Sequence, residues 1–119
     1  MKEAKGFLQK IFSYSDYRLF LRDYFEHAKN INKNYSYRFF ARSARIVAPN
    51  LLHYIINGKK NLTEDFFPRF VKAMGLNKKE QEYFNILISY NHSKDPESKC
   101  YYHEILTTIR EDEGVLPIR

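Results

Sequence analysis

Apolar residues recur at intervals of three and four along most of the chain, the spacing that lines one face of an α-helix. The first predicted helix follows Ser15 or Asp16, either of which can accept a hydrogen bond from a free N–H of the first turn. Its buried face would consist of Tyr17, Phe20, Leu21, Tyr24, Phe25 and Ala28. The sequence contains no alternating strand pattern and no hairpin signal. The pattern therefore predicts an all-α fold.

Two short helices joined by a tight turn are predicted between residues 36 and 58. Ser36 can cap the second predicted helix. The third runs from Pro49 to Asn57, and Pro49 suits its first position because the missing N–H would be unpaired there. Gly58 can end this helix with a positive φ. The apolar residues of the two helices are Tyr37, Phe40, Ala41, Ala44, Leu52, Ile55 and Ile56.

Two positions between these helices are unusual. Arg45 lies in a tight turn, where a positive φ would favour glycine, so either the turn is built differently or Arg45 adopts an unusual backbone conformation. Ala48 precedes Pro49 and has no side-chain oxygen to cap the third helix, a loss of roughly 1 kcal/mol. Both departures concern the entry into that helix.

Three further helices complete the predicted fold. Asp65 is a better cap than Thr63 for the fourth helix, because Pro68 then lies in the first turn, where it costs little. The other signals are Gly75 at the end of the fourth helix, Asn77 with Glu80 as a capping box, and Asp95-Pro96 at the start of the sixth helix. The prediction is a compact domain of five to six helices over residues 14–110. An amphipathic extension precedes it at 1–13, and a flexible tail follows at 111–119.

The composition fits one domain in a reducing compartment. The chain has 119 residues, and domains of about 100 to 150 residues are the commonest. Its one cysteine, Cys100, cannot form an internal disulfide, and no apolar run approaches the ~20 residues that cross a bilayer. We expect a cytoplasmic protein without a membrane segment. The extension is expected to pack on the protein's own core or on a second subunit, with contact to a membrane surface as the alternative.

The positive charge is concentrated in one part of the chain. From His27 to Thr63, 37 residues contain no Asp or Glu and seven Lys or Arg. The other 82 residues hold 13 basic and 14 acidic side chains, so the whole excess of +6 lies in this acid-free stretch. A segment without carboxylates suggests a polyanionic partner, whereas a solvated basic surface is the alternative.

No constellation of residues indicates catalysis, a metal ion or a cofactor. His92, Cys100 and His103 lie close in sequence, but a structural zinc site needs four ligands, and a nucleophilic thiol needs a base and an orienting third group. The four glycines are isolated, so the sequence has no glycine-rich phosphate loop. We expect a protein that is not an enzyme and needs no cofactor.

A short helix, a tight turn and a second helix inside the acid-free stretch are typical of a DNA-binding helix-turn-helix, here at residues 36–58. Residues 35–76 resemble the Cro and lambda-repressor type of helix-turn-helix domain. The resemblance is carried by Ala41, Leu52 with Ile55, Gly58-Lys59, and the closing segment from Phe70 to Leu76. It covers about a third of the chain.

A longer segment, from Tyr14 to Leu106, is similar to a poorly characterised bacterial family that is a domain of unknown function containing this helix-turn-helix. The shared motifs are Asp16-Tyr17-Arg18 with Phe20-Leu21, Tyr24-Phe25, Ser36-Tyr37-Arg38 with Phe40-Ala41-Arg42, Asn57-Gly58-Lys59 with Asn61-Leu62, and Glu82-Tyr83-Phe84. The resemblance implies transcriptional regulation and double-stranded DNA as the partner. Many members continue into a further C-terminal domain, so it leaves open whether this chain is a module or a fragment.

The third predicted helix would lie in the major groove. With its apolar stripe inward, the residues expected to face the bases are Asn50, Leu51, His53, Tyr54 and Asn57. The residues expected to contact phosphates are Arg38, Arg42, Arg45, Lys59, Lys60 and Asn61. Proteins of this type commonly dimerise to meet successive grooves, and Tyr90, Tyr101 or Tyr102 would lie at the seam.

Two alternatives compete with duplex DNA. Leu51 and Tyr54 replace the polar residues usual on the outward face of such a helix, and exposed apolar side chains that cluster usually have a protein partner. An interaction module that reuses the helix-turn-helix is therefore the main alternative. RNA is a further one, since aromatic and basic residues are mixed, although a stacking platform on a sheet is absent.

Overall fold

The computed structural model describes residues 4–115, with side chains from Gly6 onward. This part of the chain is entirely helical and contains no strand, which confirms the predicted all-α class. It holds seven α-helices, one more than the upper prediction, because the N-terminal segment forms a helix of its own. The elements are α1 Ala4–Leu8, a 3₁₀ helix Gln9–Ser13, α2 Tyr17–Ile31, α3 Tyr37–Ser43, α4 Leu51–Ile56, α5 Phe67–Met74, α6 Lys78–His92 and α7 Pro96–Asp112.

Helix α2 lies at the centre of the fold and packs against α1, α4 and α6. Its cap is Asp16, whose Oδ1 accepts hydrogen bonds from the backbone N–H groups of Arg18 and Leu19. All six residues predicted for its apolar face are buried in the common core. The spacing of three and four thus identified the central helix and its orientation correctly.

The N-terminal segment belongs to the core. Phe7, Leu8, Ile11 and Phe12 are all buried in the same cluster as the residues of α2. The Phe7 ring stacks on Phe20 with centroids 5.8 Å apart. Of the environments considered for the predicted extension, its own core is the one observed. Residues 1–3 of that extension lie outside the described residues.

The later helix starts were predicted in part. Asn77 and Glu80 form the capping box, each accepting a hydrogen bond from the other's backbone N–H. Asp95 caps α7 by accepting a hydrogen bond from the N–H of Ser98. Helix α5 differs: neither Asp65 nor Thr63 caps it through its side chain.

The start of α5 is set by a backbone turn instead. The Thr63 carbonyl accepts hydrogen bonds from the N–H groups of Phe66 and Phe67. This turn provides a hydrogen-bond acceptor for the two N–H groups at the start of the helix, so they need no capping side chain. Pro68 lies in the first turn, as predicted, and Gly75 ends the helix with φ of 80°.

Helix α7 runs two residues beyond the predicted end of the domain. Arg110 is 99% buried at that end, and it donates hydrogen bonds to the Tyr83 hydroxyl and the Tyr14 carbonyl. These contacts join α7 to α6 and to the segment before α2, so Glu111 and Asp112 stay helical. The prediction that the tail begins at 111 is therefore wrong for these two residues. Residues 116–119 of that tail lie outside the described part.

Candidate nucleic-acid interface

The turn between α3 and α4 depends on an arginine in a conformation that favours glycine. Arg45 has φ of 58°, the only positive φ at a non-glycine residue in the described chain. The N–H of Ile46 reaches back to the Ala41 carbonyl at 2.8 Å, and that of Arg45 to the Arg42 carbonyl at 3.1 Å. This is the hydrogen-bond pattern of a Schellman motif. Of the two alternatives considered for Arg45, the unusual backbone conformation is the one observed.

Helix α4 is shorter than predicted. It begins at Leu51, whereas Pro49 and Asn50 form a turn in front of it, so Pro49 is not the first helical residue. Asn50 stands at the cap position without a capping side-chain hydrogen bond. The missing cap noted at Ala48 is thus not replaced nearby, and the helix starts only where burial of Leu51 and Leu52 holds it.

The buried face of α4 is rotated from the predicted one. Leu51 is only 6% exposed, so its placement among the outward residues is wrong. Leu51 and Ile55 are one turn apart and both point inward, while Ile56 is only partly buried. The inward stripe is therefore centred on Leu51, Leu52 and Ile55. Packing against α2 and α3 decides this rotation, and periodicity alone could not.

The four remaining predicted base contacts are exposed: Asn50, His53, Tyr54 and Asn57. Tyr54 is 40% exposed. The Asn57 amide nitrogen donates to the His53 carbonyl at 2.8 Å and lies 3.2 Å from the His53 Nδ1. With Nδ1 accepting, neutral His53 carries its hydrogen on Nε2 and presents a donor there. The Asn50 side chain forms no hydrogen bond with the residues described, which leaves both its donor and its acceptor free.

A row of aromatic rings holds this face of α4 against α3 and α2. The rings of Phe25 and Tyr37 stack with centroids 4.1 Å apart. Tyr37 in turn lies 5.1 Å from His53, and His53 lies 5.8 Å from Tyr54. Burial raises the pKa of Tyr37, so its hydroxyl stays neutral. The ring contacts fix the His53 imidazole in position before any partner binds.

Four of the predicted phosphate-binding cations are exposed near α3 and α4: Arg38, Arg42, Lys59 and Lys60. None of their side chains forms a hydrogen bond or an ion pair with the described residues. Within that part of the chain, the one ion pair joins Arg22 to Asp23. These four cations therefore form no ion pair with a carboxylate of the described residues. Together with Asn50, His53, Tyr54 and Asn57 they make up a surface that we call the α4 face.

An arginine that sequence reasoning did not select positions the end of α4. The Arg18 Nη1 donates to the Ile55 carbonyl at 2.6 Å and to the Lys60 carbonyl at 2.8 Å. Its Nη2 donates to the Asn61 Oδ1 at 2.6 Å. Asn61, predicted to contact phosphate, has its amide oxygen occupied in this way and only its amide nitrogen left to donate. Since the partners lie 37 to 43 residues away in sequence, no local signal could have revealed this role.

A tyrosine–histidine pair supports the same loop from behind. The Tyr17 hydroxyl lies 2.8 Å from the His92 Nε2, and it accepts a hydrogen bond from the N–H of Leu62. The Arg18 guanidinium lies 4.9 Å from the centre of the Tyr17 ring. Burial lowers the pKa of His92, and the charge of Arg18 lowers it further. A neutral His92 is thus part of the support that fixes the loop carrying Lys59 and Lys60.

Metal ions and membranes are two other kinds of partner that the described residues can be checked for. These residues contain no group of three or more His, Cys, Asp or Glu that could hold a metal ion. None of their helices is both long and apolar enough to span a membrane.

Comparison of the chain with protein-family models, with curated proteins and with solved structures finds no match.

Proposed function

We propose that the protein binds double-stranded DNA and regulates transcription, with α3, the turn and α4 acting as a helix-turn-helix of the Cro and lambda-repressor type. The observation that carries this proposal is the α4 face, where exposed cations without carboxylate partners surround a short helix with exposed hydrogen-bonding side chains. An α-helix with its side chains is about 10 to 12 Å across, and a B-DNA major groove is about 12 Å wide. The helix can therefore enter the groove with its outward face against the bases.

The exposed side chains of α4 and of the two residues that flank it each have a chemical role in this proposal. Asn50 donates and accepts with its amide, which suits a bidentate contact to adenine. His53 donates from Nε2 to a base acceptor or a phosphate. Tyr54 packs its ring on a thymine methyl group. Asn57 holds His53 in place and presents its amide oxygen.

The basic residues fix the register on the duplex. Arg38, Arg42, Lys59 and Lys60 neutralise phosphates, a contact that contributes affinity without sequence information. Asn61 adds the amide nitrogen that Arg18 leaves free. Arg45 is left out of this set because its side chain lines a groove against α5.

A second copy would double this contact. Two recognition helices about 34 Å apart reach successive major grooves on one side of the duplex. Tyr101 on α7 is 61% exposed, and the nearby Tyr90 and Tyr102 are partly exposed. We therefore propose a homodimer joined through α7, which sedimentation equilibrium of the wild type and Tyr101→Lys tests. A wild type that stays monomeric at high concentration contradicts it.

A protein partner is the second candidate for this surface. Two apolar side chains near α4 favour it: Val47 in the turn is 98% exposed, and Tyr54 is 40% exposed. Exposed apolar side chains near one another can form the centre of a protein interface. In that case the basic residues would contact an acidic partner chain in place of phosphates.

The chain has two pairs of consecutive lysines, one on the α4 face and one outside it, which allow a matched test of DNA binding. Replacing Lys59 and Lys60 by Gln should reduce the slope of log affinity against log salt by about two units, one for each lost phosphate contact. Replacing the exposed pair Lys78 and Lys79 in the same way changes the net charge equally and should leave the slope unchanged. Fluorescence anisotropy with a random duplex measures both.

The same titration with single-stranded DNA and RNA separates the alternatives. Equal affinity for all three nucleic acids would argue against a duplex-specific surface. An equal decrease of the salt slope in both double variants would show that binding depends on the net charge and not on the α4 face. Selection from a random duplex library then shows whether Asn50 and His53 read bases, since Asn50→Ala should broaden the selected sequences.

A further inference from the structure

A groove between the α3–α4 turn and α5 collects three cations from two parts of the chain. Arg45 enters it from the turn, and Arg69 and Lys72 enter it from α5. Arg69 and Lys72 are three residues apart, so they lie on the same face of that helix. The groove has a volume of about 430 Å³, and its other lining residues are Ser43, Ala44 and Pro68.

No carboxylate balances these three charges within the described chain. None of the lining residues is acidic, and the only ion pair among the described residues lies elsewhere, between Arg22 and Asp23. Arg45, Arg69 and Lys72 are exposed, so their like charges repel each other through solvent that screens part of the repulsion. An anion in the groove would remove this repulsion, and the fold provides none from the described residues.

One of the cations is held in place by the fold. The Arg69 Nη1 donates to the backbone carbonyl of Arg45 at 3.0 Å. The Arg69 guanidinium also lies 5.6 Å from the centre of the Phe66 ring. A guanidinium carries five N–H donors, so this anchoring leaves several directed at other acceptors. Arg69 thus keeps a fixed orientation without exhausting its hydrogen-bonding capacity.

The chemistry of the groove selects phosphate groups. Two guanidinium groups can bind phosphate oxygens in pairs, Lys72 adds a point charge, and the Ser43 hydroxyl can donate a further hydrogen bond. The volume lies within the ~300 to 1,000 Å³ typical of small-molecule sites. Such a concave space suits a compact ligand better than the convex backbone of a duplex.

We propose that this groove is a binding site for a small phosphorylated molecule carrying two or more linked phosphate groups, separate from the α4 face. Arg45 and Arg69 bind its phosphate oxygens, and Lys72 neutralises the remaining charge. This site does not depend on DNA binding.

Titration of the full chain with inorganic pyrophosphate, followed by isothermal calorimetry in constant chloride, tests the site. The wild type should bind pyrophosphate, and Arg69→Gln and Lys72→Gln should each weaken binding by about tenfold, the loss expected for one charged hydrogen bond. Lys78→Gln removes an equal charge outside the groove and should leave the affinity unchanged. Binding that is absent in the wild type, or weakened equally by Lys78→Gln, overturns the proposal.

Arg45→Gly provides a variant that is expected to fold. Glycine accepts the positive φ at this position, so the substitution removes the guanidinium while relieving the backbone. Pyrophosphate binding should fall about tenfold in Arg45→Gly as well, and unchanged binding overturns the role of Arg45. If Arg69→Gln and Lys72→Gln weaken duplex binding while pyrophosphate does not bind, the groove belongs to a DNA contact and the proposal is wrong.

Discussion

Arg45 shows how one residue can combine a backbone penalty with a side-chain role. Its φ of 58° lies in the left-handed region, where a side chain with a Cβ costs roughly 1 to 2 kcal/mol. The hydrogen bonds of the Schellman motif and the burial of Ile46 hold it there. A glycine would satisfy the turn without strain, so the arginine contributes through its guanidinium.

Comparison of Arg45→Gly with Arg45→Ala isolates the backbone strain. Both substitutions remove the guanidinium, but alanine keeps the Cβ in the left-handed conformation. Arg45→Gly should therefore be more stable than Arg45→Ala by about 1 kcal/mol. Urea denaturation measures the difference, and equal free energies of unfolding would show that the strain does not exceed the entropy that glycine adds to the unfolded chain.

His92 gives the stability a pH dependence of known sign. Burial and the charge of Arg18 hold its pKa below the usual value of 6.5, so the unfolded chain binds this proton more readily than the folded one. The contribution of His92 is thus fully present above pH 6.5, decreases as the pH falls towards the folded pKa, and becomes constant below that. His92→Gln should flatten this part of the melting temperature profile between pH 8 and 5. His103→Gln, at an exposed position on α7, is the matched control for the substitution itself.

At the level of the elements, local signals located most helices but did not orient α4. Side-chain caps accept hydrogen bonds from N–H groups at most three residues away, so the sequence reveals them. They are Asp16, Ser36, with its Oγ accepting from the N–H of Phe39, Asp95 and the capping box of α6. Packing against α2 and α3 sets the rotation of α4 about its axis. The apolar pattern of a six-residue helix is too short to predict that rotation. The turn that starts α5 is formed by backbone groups, so no side chain in the sequence indicates it.

Arg18 connects two elements, and its loss should weaken both the fold and the loop after α4. Arg18→Met keeps the length of the side chain but removes the donors to Ile55, Lys60 and Asn61. We expect a loss of about 2 kcal/mol of unfolding free energy, since hydrogen bonds from charged groups contribute about 1.5 to 3 kcal/mol. Arg22→Met on the same helix removes only an exposed ion pair and should cost less than about 1 kcal/mol. Chemical denaturation compares the two variants, and equal losses would contradict the role of Arg18.

For the whole molecule, the sequence shows which segment carries the excess positive charge. It does not show that the fold distributes the cations between the α4 face and the groove beside α5. The acid-free stretch selects four cations that are exposed and form no ion pair with the described residues: Arg38, Arg42, Lys59 and Lys60. It could not separate Arg45 from this set, because the partners of Arg45 in the α5 groove, Arg69 and Lys72, lie outside the stretch. Tertiary structure alone assembles that second group of cations.

The dependence of duplex binding on salt concentration tests the account most directly. Four phosphate contacts from the α4 face predict that log affinity for a random duplex falls linearly with log salt, with a slope of about −4 for each protein chain bound. Fluorescence anisotropy between about 50 and 200 mM salt measures this slope. An affinity that does not change across that range would contradict DNA binding by this surface.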